Sequence, residues 1–338
     1  MKKYSYCVFI GRFAPPHKGH LALIDEAFSQ AEKVIIVAGS VNKARDTKNP
    51  WTANEREQMI KDVLTPDQRE NSYIIKLRDY AYNDIMWQNE LLTKVSDIVG
   101  DNENIALIGH EHDRSSFYLF LFPQWTLIDM PNLNQFPHAT NIRDKYFTYD
   151  NGYKNSLHQS TVKYLEEFKT TDTFKKLKDE YDFLTEYKSK WIGSPFQPIF
   201  HTVDSVVIKS GHILLVRRKG KLGKGLMALP GGFLNADETL RDGALRELRE
   251  ETVINISKEE LNYAIADQKT FDSVGRSLRG RTITTAFLID LGSGILPKVK
   301  GSDDAEKAFW MPINEIHMKD SEFFEDHYHI ISYFVNRY

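Results

Sequence analysis

The chain has 338 residues, 41% hydrophobic and 27% charged, which excludes large-scale disorder and predicts two soluble globular domains. Its 44 basic and 47 acidic residues leave a net charge of −3, which argues against a nucleic-acid partner. The single cysteine, Cys7, excludes an intramolecular disulfide and fits a reducing, cytoplasmic compartment. No apolar run approaches the roughly 18 residues that would predict a membrane span, so we expect no membrane association.

Apolar runs and amphipathic segments alternate in the first 130 residues. Five runs predict buried strands: Tyr6–Ile10, Lys33–Ala38, Tyr73–Leu77, Asn104–Ile108 and Trp125–Asp129. Helical spacing of apolar residues predicts the helices Gly19–Ala31, Thr52–Leu64 and Asp84–Val99, with Thr52 and Asp84 as N-caps. This alternation predicts an α/β fold with a doubly wound parallel sheet. Such a sheet binds ligands at the carboxyl ends of its strands, where Gly11 and Gly109 lie.

A different pattern follows after residue 160. Two amphipathic helices, Thr161–Phe168 and Asp172–Lys190, are expected to close the first domain. The run from Gly193 to Pro198 is rich in glycine and proline and predicts a domain boundary, which gives domains 1–192 and 193–338. The second domain is predicted to be α+β, with the following strands and helices: Val203–Lys209, His212–Val216, Asp237–Glu251, Thr282–Asp290 and Ser321–Asn336.

The segment Gly11-Arg12-Phe13-Ala14-Pro15-Pro16-His17-Lys18-Gly19-His20 follows the first strand directly. Its glycines permit a tight turn, and backbone amides at the start of the next helix favour an anion such as phosphate. His17 and His20 fall on one helical face and could stabilise charge on a transferred phosphoryl group. The alternative is that both histidines only cap and pack the helix.

This segment, with His-x-Gly-His at 17–20, resembles the nucleotidylyltransferase superfamily and, within it, the archaeal-type nicotinamide mononucleotide (NMN) adenylyltransferases. Residues 39–45, 49–56, 79–87 and 138–143 resemble the same branch, so that the likeness covers about residues 4–190. It implies a Rossmann-like domain that joins ATP and NMN into NAD and pyrophosphate. The NMN phosphate is already an anion, so positioning and charge neutralisation suffice for its in-line attack.

The resemblance also implies roles for individual residues. Arg12, Lys18, Thr140 and Arg143 would hold the ATP triphosphate, and Gly11, Phe13 and Gly109 would line the nucleotide site. Trp87 would stack on the nicotinamide ring and Asn83 or Asp84 would bind its carboxamide, unless Trp87 is simply a buried helix aromatic. His17, His20 and Arg143 are the expected catalytic residues. A second possibility keeps the adenylyl transfer and changes the acceptor, for example to phosphopantetheine.

Residues Gly232 to Glu251 fit the Nudix box at every fixed position, and Val253 stands where the box has glycine. Glu247, Glu250 and Glu251 are three and four residues apart and cluster on one helical face, where a divalent cation would neutralise them. The alternative is an exposed charged helix with its arginines paired to glutamates. Because valine resists positive φ, we expect the end of this helix to be rebuilt, with altered loop geometry.

Five further stretches resemble the ADP-ribose pyrophosphatases that are fused to NMN adenylyltransferases: 203–207, 214–219, 225–229, 276–281 and 326–327. The resemblance implies hydrolysis of ADP-ribose to AMP and ribose 5-phosphate. Magnesium or manganese would be bound by Gly231, Glu247, Glu250 and Glu251, and substrate by Arg217, Arg279 and Arg281. Either Glu250 or the loop Asp303-Asp304-Ala305-Glu306 would supply the base, unless that loop is a solvated turn.

The expected ligands are therefore small nucleotides: ATP, NMN, NAD and ADP-ribose. An alternative keeps the synthase but makes the second domain a non-catalytic sensor of ADP-ribose or NAD. Val253, Ser277 and Leu278 favour that alternative because they depart from the family pattern, whereas the three glutamates oppose it.

Overall fold

The computed structural model describes residues 2–100, 103–110, 118–130, 136, 138–302 and 304–336. The chain divides into two units, residues 1–178 and 179–338, each with its own sheet. Among the described helices, none combines the length and apolar character needed to cross a membrane.

The first unit is built on five parallel strands in the order β3-β2-β1-β4-β5. Their bounds are β1 (Tyr4–Gly11), β2 (Ala31–Ala38), β3 (Ser72–Lys76), β4 (Ile105–Gly109) and β5 (Thr126–Asp129). This order is doubly wound, as predicted, and every predicted strand is present to within two residues at each end. The order reverses between β1 and β4, and the crevice at such a switch point is where ligands bind in open α/β sheets.

Six helices of the described residues connect or follow these strands: α1 (Lys18–Gln30), α2 (Ala53–Val63), α3 (Pro66–Glu70), α4 (Asp84–Ser96), α5 (Ala139–Phe147) and α6 (Gln159–Phe168). The next helix, α7 (Asp172–Ser189), was expected to close the first domain, but it crosses the division at residue 178, and Leu184 in its second half packs in a core cluster of the second unit. Thr52 caps α2 as predicted, since its hydroxyl accepts from the Glu55 amide. The prediction that Asp84 caps α4 is wrong. The cap is Asn83, whose backbone is non-helical and whose Oδ1 accepts from the Met86 amide at 3.1 Å.

Both faces of the parallel sheet are buried, because successive side chains along each strand point to opposite faces. Phe9 and Ile36 lie on one face in a cluster that includes Ile24 of α1. Val8 and Leu107 lie on the other face in a cluster that includes residues of α4. With both faces covered, the open part of the sheet is the edge where its strands end.

The second unit contains a mixed seven-stranded sheet, with β10-β11-β6-β7-β12 in order, β8 on β7 and β9 on β6. The bounds are β6 (Phe200–Lys209), β7 (His212–Arg218), β8 (Met227–Ala228), β9 (Gly231–Phe233), β10 (Ile265–Phe271), β11 (Thr282–Asp290) and β12 (Ala305–Pro312). The three predicted strands are confirmed. Sequence analysis missed the other four: β8 and β9, which are very short, β10, most of whose residues are not buried, and β12, only three of whose eight residues are buried.

In the described part of this unit, the α-helices after α7 are α8 (Leu240–Thr252), α9 (Lys258–Tyr263) and α10 (His327–Val335). Two predicted starts are wrong. The helix predicted from Asp237 begins at Leu240, because Thr239 is the N-cap and accepts from the Asp242 amide. The helix predicted from Ser321 begins at His327. Residues 320–322 form a 3₁₀ turn, and the two phenylalanines that follow are buried in non-helical backbone.

The expected rebuilding of the end of α8 is also wrong. Val253 adopts the left-handed conformation itself, with φ 45° and ψ 37°, so the turn that glycine would make is kept. Distant amides fasten this turn, since Ser302 donates to the Glu251 carbonyl at 3.1 Å and Lys300 to the Thr252 carbonyl at 2.8 Å. The side chain of Ile254 is buried in the core beyond it. These contacts offset the strain that a β-branched residue suffers there.

Candidate functional sites

A cavity of about 280 Å³ lies at the switch point of the parallel sheet. The segment after β1 and the end of β4 form part of its wall, and the beginnings of α1 and α5 contribute His17, His20, His138 and Ala139. Helix beginnings carry unpaired amides and a partial positive charge, which favour anions. The topology therefore brings two anion-binding helix ends to one cavity.

His17 and His20 form a reciprocal cap at the start of α1. The Nδ1 of His17 accepts from the Gly19 amide, and the Nδ1 of His20 accepts from the His17 amide, both at 3.2 Å. Their ring centroids are 3.7 Å apart. The two rings therefore cap the helix and also line the cavity.

Burial keeps both imidazoles neutral. It lowers the pKa of His17 to about 4, with nearby His138 adding to the effect, and it lowers the pKa of His20 well below its usual range. A neutral imidazole has one N–H, and an Nδ1 that accepts a hydrogen bond leaves that proton on Nε2. Each ring thus has one Nε2–H donor, which suits hydrogen bonding to phosphate oxygens.

Arg143 lies buried beside these rings, as only 6% of the residue is exposed. It donates from Nη1 to the Ala14 carbonyl at 2.8 Å and from Nη2 to the Thr140 hydroxyl at 3.2 Å. Burial and the charge of Arg12 lower the pKa of Arg143 to about 10. Lys48, which sequence analysis did not single out, has its pKa lowered by burial and then by Arg12. The site therefore concentrates positive charge that a polyphosphate would neutralise.

Arg56 holds the loops around the cavity, and this role was not predicted. The residue is 2% exposed, and it donates from Nη1 to the carbonyls of Arg12 at 2.5 Å and Gly39 at 2.7 Å. Its Nη2 donates to the Ser40 carbonyl at 3.1 Å. One guanidinium thus ties the segment after β1 to the segment after β2. Arg56 lies in the stretch 49–56 that carries the resemblance, but nothing in the sequence indicates its partners.

Phe13 and two of the predicted glycines shape the cavity by close packing. The buried Phe13 has φ 52° and its ring centroid lies 4.7 Å from that of His20. A Cβ on Gly11 would lie 3.1 Å from the Phe13 ring, and one on Gly109 would lie 2.4 Å from Leu119. A larger residue at Gly109 would have to displace the Leu119 side chain, and one at Gly11 would press on the Phe13 ring.

The remaining residues predicted for this site do not line the cavity. Lys18, Asn83 and Asp84 are exposed. Trp87 is half-buried, with its ring centroid 6.2 Å from that of Tyr118, a residue that does line the cavity. Of the predicted nicotinamide residues, Trp87 therefore reaches the cavity wall through Tyr118.

In the second unit, Arg246 organises the glutamates of α8. Its guanidinium pairs with Glu238 at 2.7 Å, Glu247 at 2.9 Å and Glu250 at 3.0 Å. The predicted alternative, an arginine paired to neighbouring glutamates, is therefore present here. Within the described residues, no group of three acidic, histidine or cysteine side chains is already gathered as a metal site.

Among the glutamates of α8, Glu251 differs from the others because it faces inward and is only 6% exposed. Its Oε2 accepts from the Gly231 amide at 3.1 Å. Burial raises the pKa of Glu251 to about 8, and the charges of Glu247 and Asp304 act in the same direction. A carboxylate that is buried beside other carboxylates is stabilised by a divalent cation, so these residues fit the implied metal.

The arginines predicted to bind substrate in this unit are placed differently from one another. Arg217 donates to the Gly225 carbonyl at 2.9 Å, and Arg281 to the Asp272 carbonyl at 2.6 Å. Arg279 stacks over the Phe233 ring at 4.9 Å, two residues beyond Gly231 in β9. Asp303 of the candidate base loop lies outside the described residues, and Asp304 and Glu306 are exposed.

A buried ion pair connects two separate segments of this region. Arg276 makes two hydrogen bonds to Asp326, at 2.9 and 2.8 Å, with both side chains almost fully buried. Next to Asp326, His327 accepts at Nδ1 from the Leu229 amide at 2.9 Å. The resemblance implied no role for these residues. The structure shows that they join three separate segments.

Comparison with known proteins defines the class of each unit. Residues 8–113 match the cytidylyltransferase-like family and residues 200–334 match the NUDIX domain. A nicotinamide/nicotinic acid mononucleotide adenylyltransferase of Acinetobacter baylyi is 34% identical over 181 residues, 54% of this chain and 95% of that protein. An ADP-ribose pyrophosphatase of Methanocaldococcus jannaschii is 34% identical over 114 residues, 34% of this chain and 62% of that protein.

A solved structure matches the whole chain. It is a bifunctional NMN adenylyltransferase/ADP-ribose pyrophosphatase from Francisella tularensis, complexed with AMP and a manganese ion. It is 38% identical, covers 99% of each chain and has a TM-score of 0.93. The chain belongs to this family of bifunctional enzymes.

Proposed function

We propose that the first unit joins NMN and ATP into NAD and pyrophosphate, and that the second unit hydrolyses ADP-ribose to AMP and ribose 5-phosphate. The observation that carries the first activity is the pair of neutral histidines beside Arg143 in the switch-point cavity. The buried Glu251 next to Glu247 carries the second. Membership of the bifunctional family supports both.

Adenylyl transfer follows from the charges and donors in the first cavity. Arg12, Lys48 and Arg143 neutralise the triphosphate, and the Nε2–H groups of His17 and His20 donate to oxygens of the α-phosphate. The negative charge on these oxygens grows as the NMN phosphate attacks the α-phosphorus in line and pyrophosphate leaves. No side chain has to remove a proton, which suits two imidazoles that stay neutral.

NMN is the acceptor that the relatives favour over phosphopantetheine, because the matched adenylyltransferases are named for mononucleotide substrates. We keep Asn83, Asp84 and Trp87 as the proposed nicotinamide contacts. Their support is the contact between Trp87 and Tyr118, which connects this group to the cavity wall.

Hydrolysis in the second unit is proposed to use magnesium, and manganese is the ion in the related structure. Glu247, Glu250 and Glu251 with the Gly231 carbonyl would hold the cation, which supplies positive charge and lowers the pKa of bound water. Arg246 would keep Glu247 and Glu250 close to Glu251. The substrate's diphosphate would be met by Arg279, whose guanidinium is already fixed against Phe233.

The sensor alternative loses one of its supports. Val253 departs from the family pattern, yet the left-handed turn at the end of α8 is kept. We therefore propose a catalytic second unit. We also propose 1–192 and 193–338 as the functional division, since the NUDIX match begins at residue 200. We propose a cytoplasmic location as well, since the buried Cys7 is a free thiol.

Two variants in one pair of assays test this proposal. Arg143→Ala should abolish NAD formation from ATP and NMN and leave ADP-ribose hydrolysis at the wild-type rate. Glu251→Gln should do the reverse. If either variant lowered both activities equally while remaining folded, the assignment of one activity to each unit would be wrong.

A further inference from the structure

The second unit contains a buried carboxylate that the chemistry above does not use. The Glu325 side chain is only 6% exposed and precedes α10. Its Oε2 has no hydrogen-bond partner among the described residues. Burial raises the pKa of Glu325, and the charge of Arg279 opposes that rise. A buried carboxylate is costly unless a cation compensates it, so its surroundings indicate what it does.

Glu325 belongs to a double clamp between two loops. Arg276 pairs with Asp326, and the Ser277 hydroxyl donates to Glu325 Oε1 at 2.6 Å. In an extended chain, neighbouring side chains point to opposite sides. Glu325 has φ 47°, and this left-handed backbone lets consecutive residues face the same loop. The strained conformation is therefore what places a second carboxylate beside the loop.

This carboxylate faces Arg279. Its Oε2 lies 3.8 Å from Arg279 Nη2, and Arg279 Nε donates to the Ser277 hydroxyl at 3.3 Å. The Phe233 ring covers the guanidinium at 4.9 Å. Arg279 is thus held by a hydroxyl, a carboxylate and an aromatic face. The guanidinium has five N–H donors, and in the described part of the chain Nε–H is the one that makes a hydrogen bond.

We propose that Glu325 is a positioning residue for ADP-ribose hydrolysis, because it orients the Arg279 guanidinium toward the substrate's diphosphate. This inference rests on the proposed function of the second unit. Glu325 would act through Arg279 and Ser277 without touching substrate. Removing its charge should free Arg279 to adopt other rotamers, so that substrate binding pays an ordering cost that the wild-type protein has already met.

Glu325→Gln tests the inference because glutamine keeps the shape and an oxygen that can accept from Ser277. We expect the KM for ADP-ribose to rise about tenfold, equivalent to about 1.4 kcal/mol, with kcat changed less than about twofold. Glu322→Gln is the matched control. Among the described residues, Glu322 pairs with Lys319 at the surface, and its replacement should change neither constant. An unchanged KM in Glu325→Gln would overturn the inference.

A double-mutant cycle separates positioning from general structural support. Arg279→Gln should raise the KM by itself, and adding Glu325→Gln to it should raise the KM no further. Independent, multiplying effects would show that Glu325 acts elsewhere and would overturn the inference. Should Glu325→Gln fail to fold, Ser277→Ala takes its place in the same cycle, with the same expectation of non-additivity.

Calorimetric titration with ADP-ribose distinguishes this inference from the proposed function. If the wild-type protein binds ADP-ribose without hydrolysing it, the hydrolase proposal fails and the cycle is read on Kd, where the same non-additivity is expected. If it neither binds nor hydrolyses ADP-ribose, both are overturned.

Discussion

Replacing Glu251 by glutamine measures how strongly the second unit opposes a charged carboxylate in the absence of metal. The pKa of this group is about 8 in the folded protein and 4.5 as its ordinary value. Between these values the folded state holds a proton that the unfolded chain has released. The free energy of unfolding of the metal-free protein therefore falls as pH rises through this window, by about 1.4 kcal/mol per pH unit.

The two pKa values set the size of the effect. From the acidic end of the window to about pH 7, the wild-type protein should lose about 3 kcal/mol relative to Glu251→Gln. Glutamine stays neutral and can still accept from the Gly231 amide, so the variant lacks this pH dependence. Urea unfolding in a chelator, at a series of pH values, gives the difference between the two proteins. Glu250→Gln, at an exposed position, is the control.

Added metal should reverse the relative stability of the wild-type protein and Glu251→Gln. Magnesium or manganese would compensate the charge of Glu251, so the wild-type protein should gain stability with added metal while Glu251→Gln gains little. Parallel stability curves for the two metal-free proteins across the window would refute the reasoning, because they would mean that the carboxylate ionises freely. A wild-type stability that ignores both metals would refute its assignment as a ligand.

Three further predictions concern single positions. His20→Ala should slow NAD formation by roughly two to three orders of magnitude without affecting ADP-ribose hydrolysis, and a wild-type rate would remove His20 from catalysis. Val253→Gly should raise the free energy of unfolding by about 1 kcal/mol in urea titrations, whereas Val253→Ala, which keeps a Cβ at positive φ, should raise it much less. Arg56→Lys should lower it by about 2 kcal/mol, because lysine cannot reach three carbonyls at once, and NAD formation should slow as well. Unchanged stability in Arg56→Lys would contradict its role in holding the loops.

The parallel sheet and its histidine motif could be predicted because both are local signals. Alternating strands and helices imply the sheet topology, and residues that directly follow a strand reach the ligand edge whatever else the chain does. The reciprocal cap of His17 and His20 spans only one helical turn, so its geometry was within reach of the sequence too.

Interactions between distant segments could not be predicted. The partners of Arg56 are carbonyls whose positions depend on two loops, and backbone carbonyls leave no trace in a sequence. Arg246 competes for Glu247 and Glu250 in a way that the helical spacing allowed but did not decide. The conformation of Val253 could not be predicted because the preference of valine against positive φ takes no account of the distant amides of Lys300 and Ser302 that hold its turn.

We propose that one chain both makes NAD and hydrolyses ADP-ribose. Chromatographic analysis of the products of a single incubation tests both activities together. The wild-type protein is incubated with ATP, NMN and ADP-ribose in saturating magnesium, and separately in manganese. We expect NAD in proportion to the ATP consumed, and AMP with ribose 5-phosphate in proportion to the ADP-ribose lost. NAD formation with ADP-ribose left intact in both metals would contradict this proposal and would leave the second unit as a sensor.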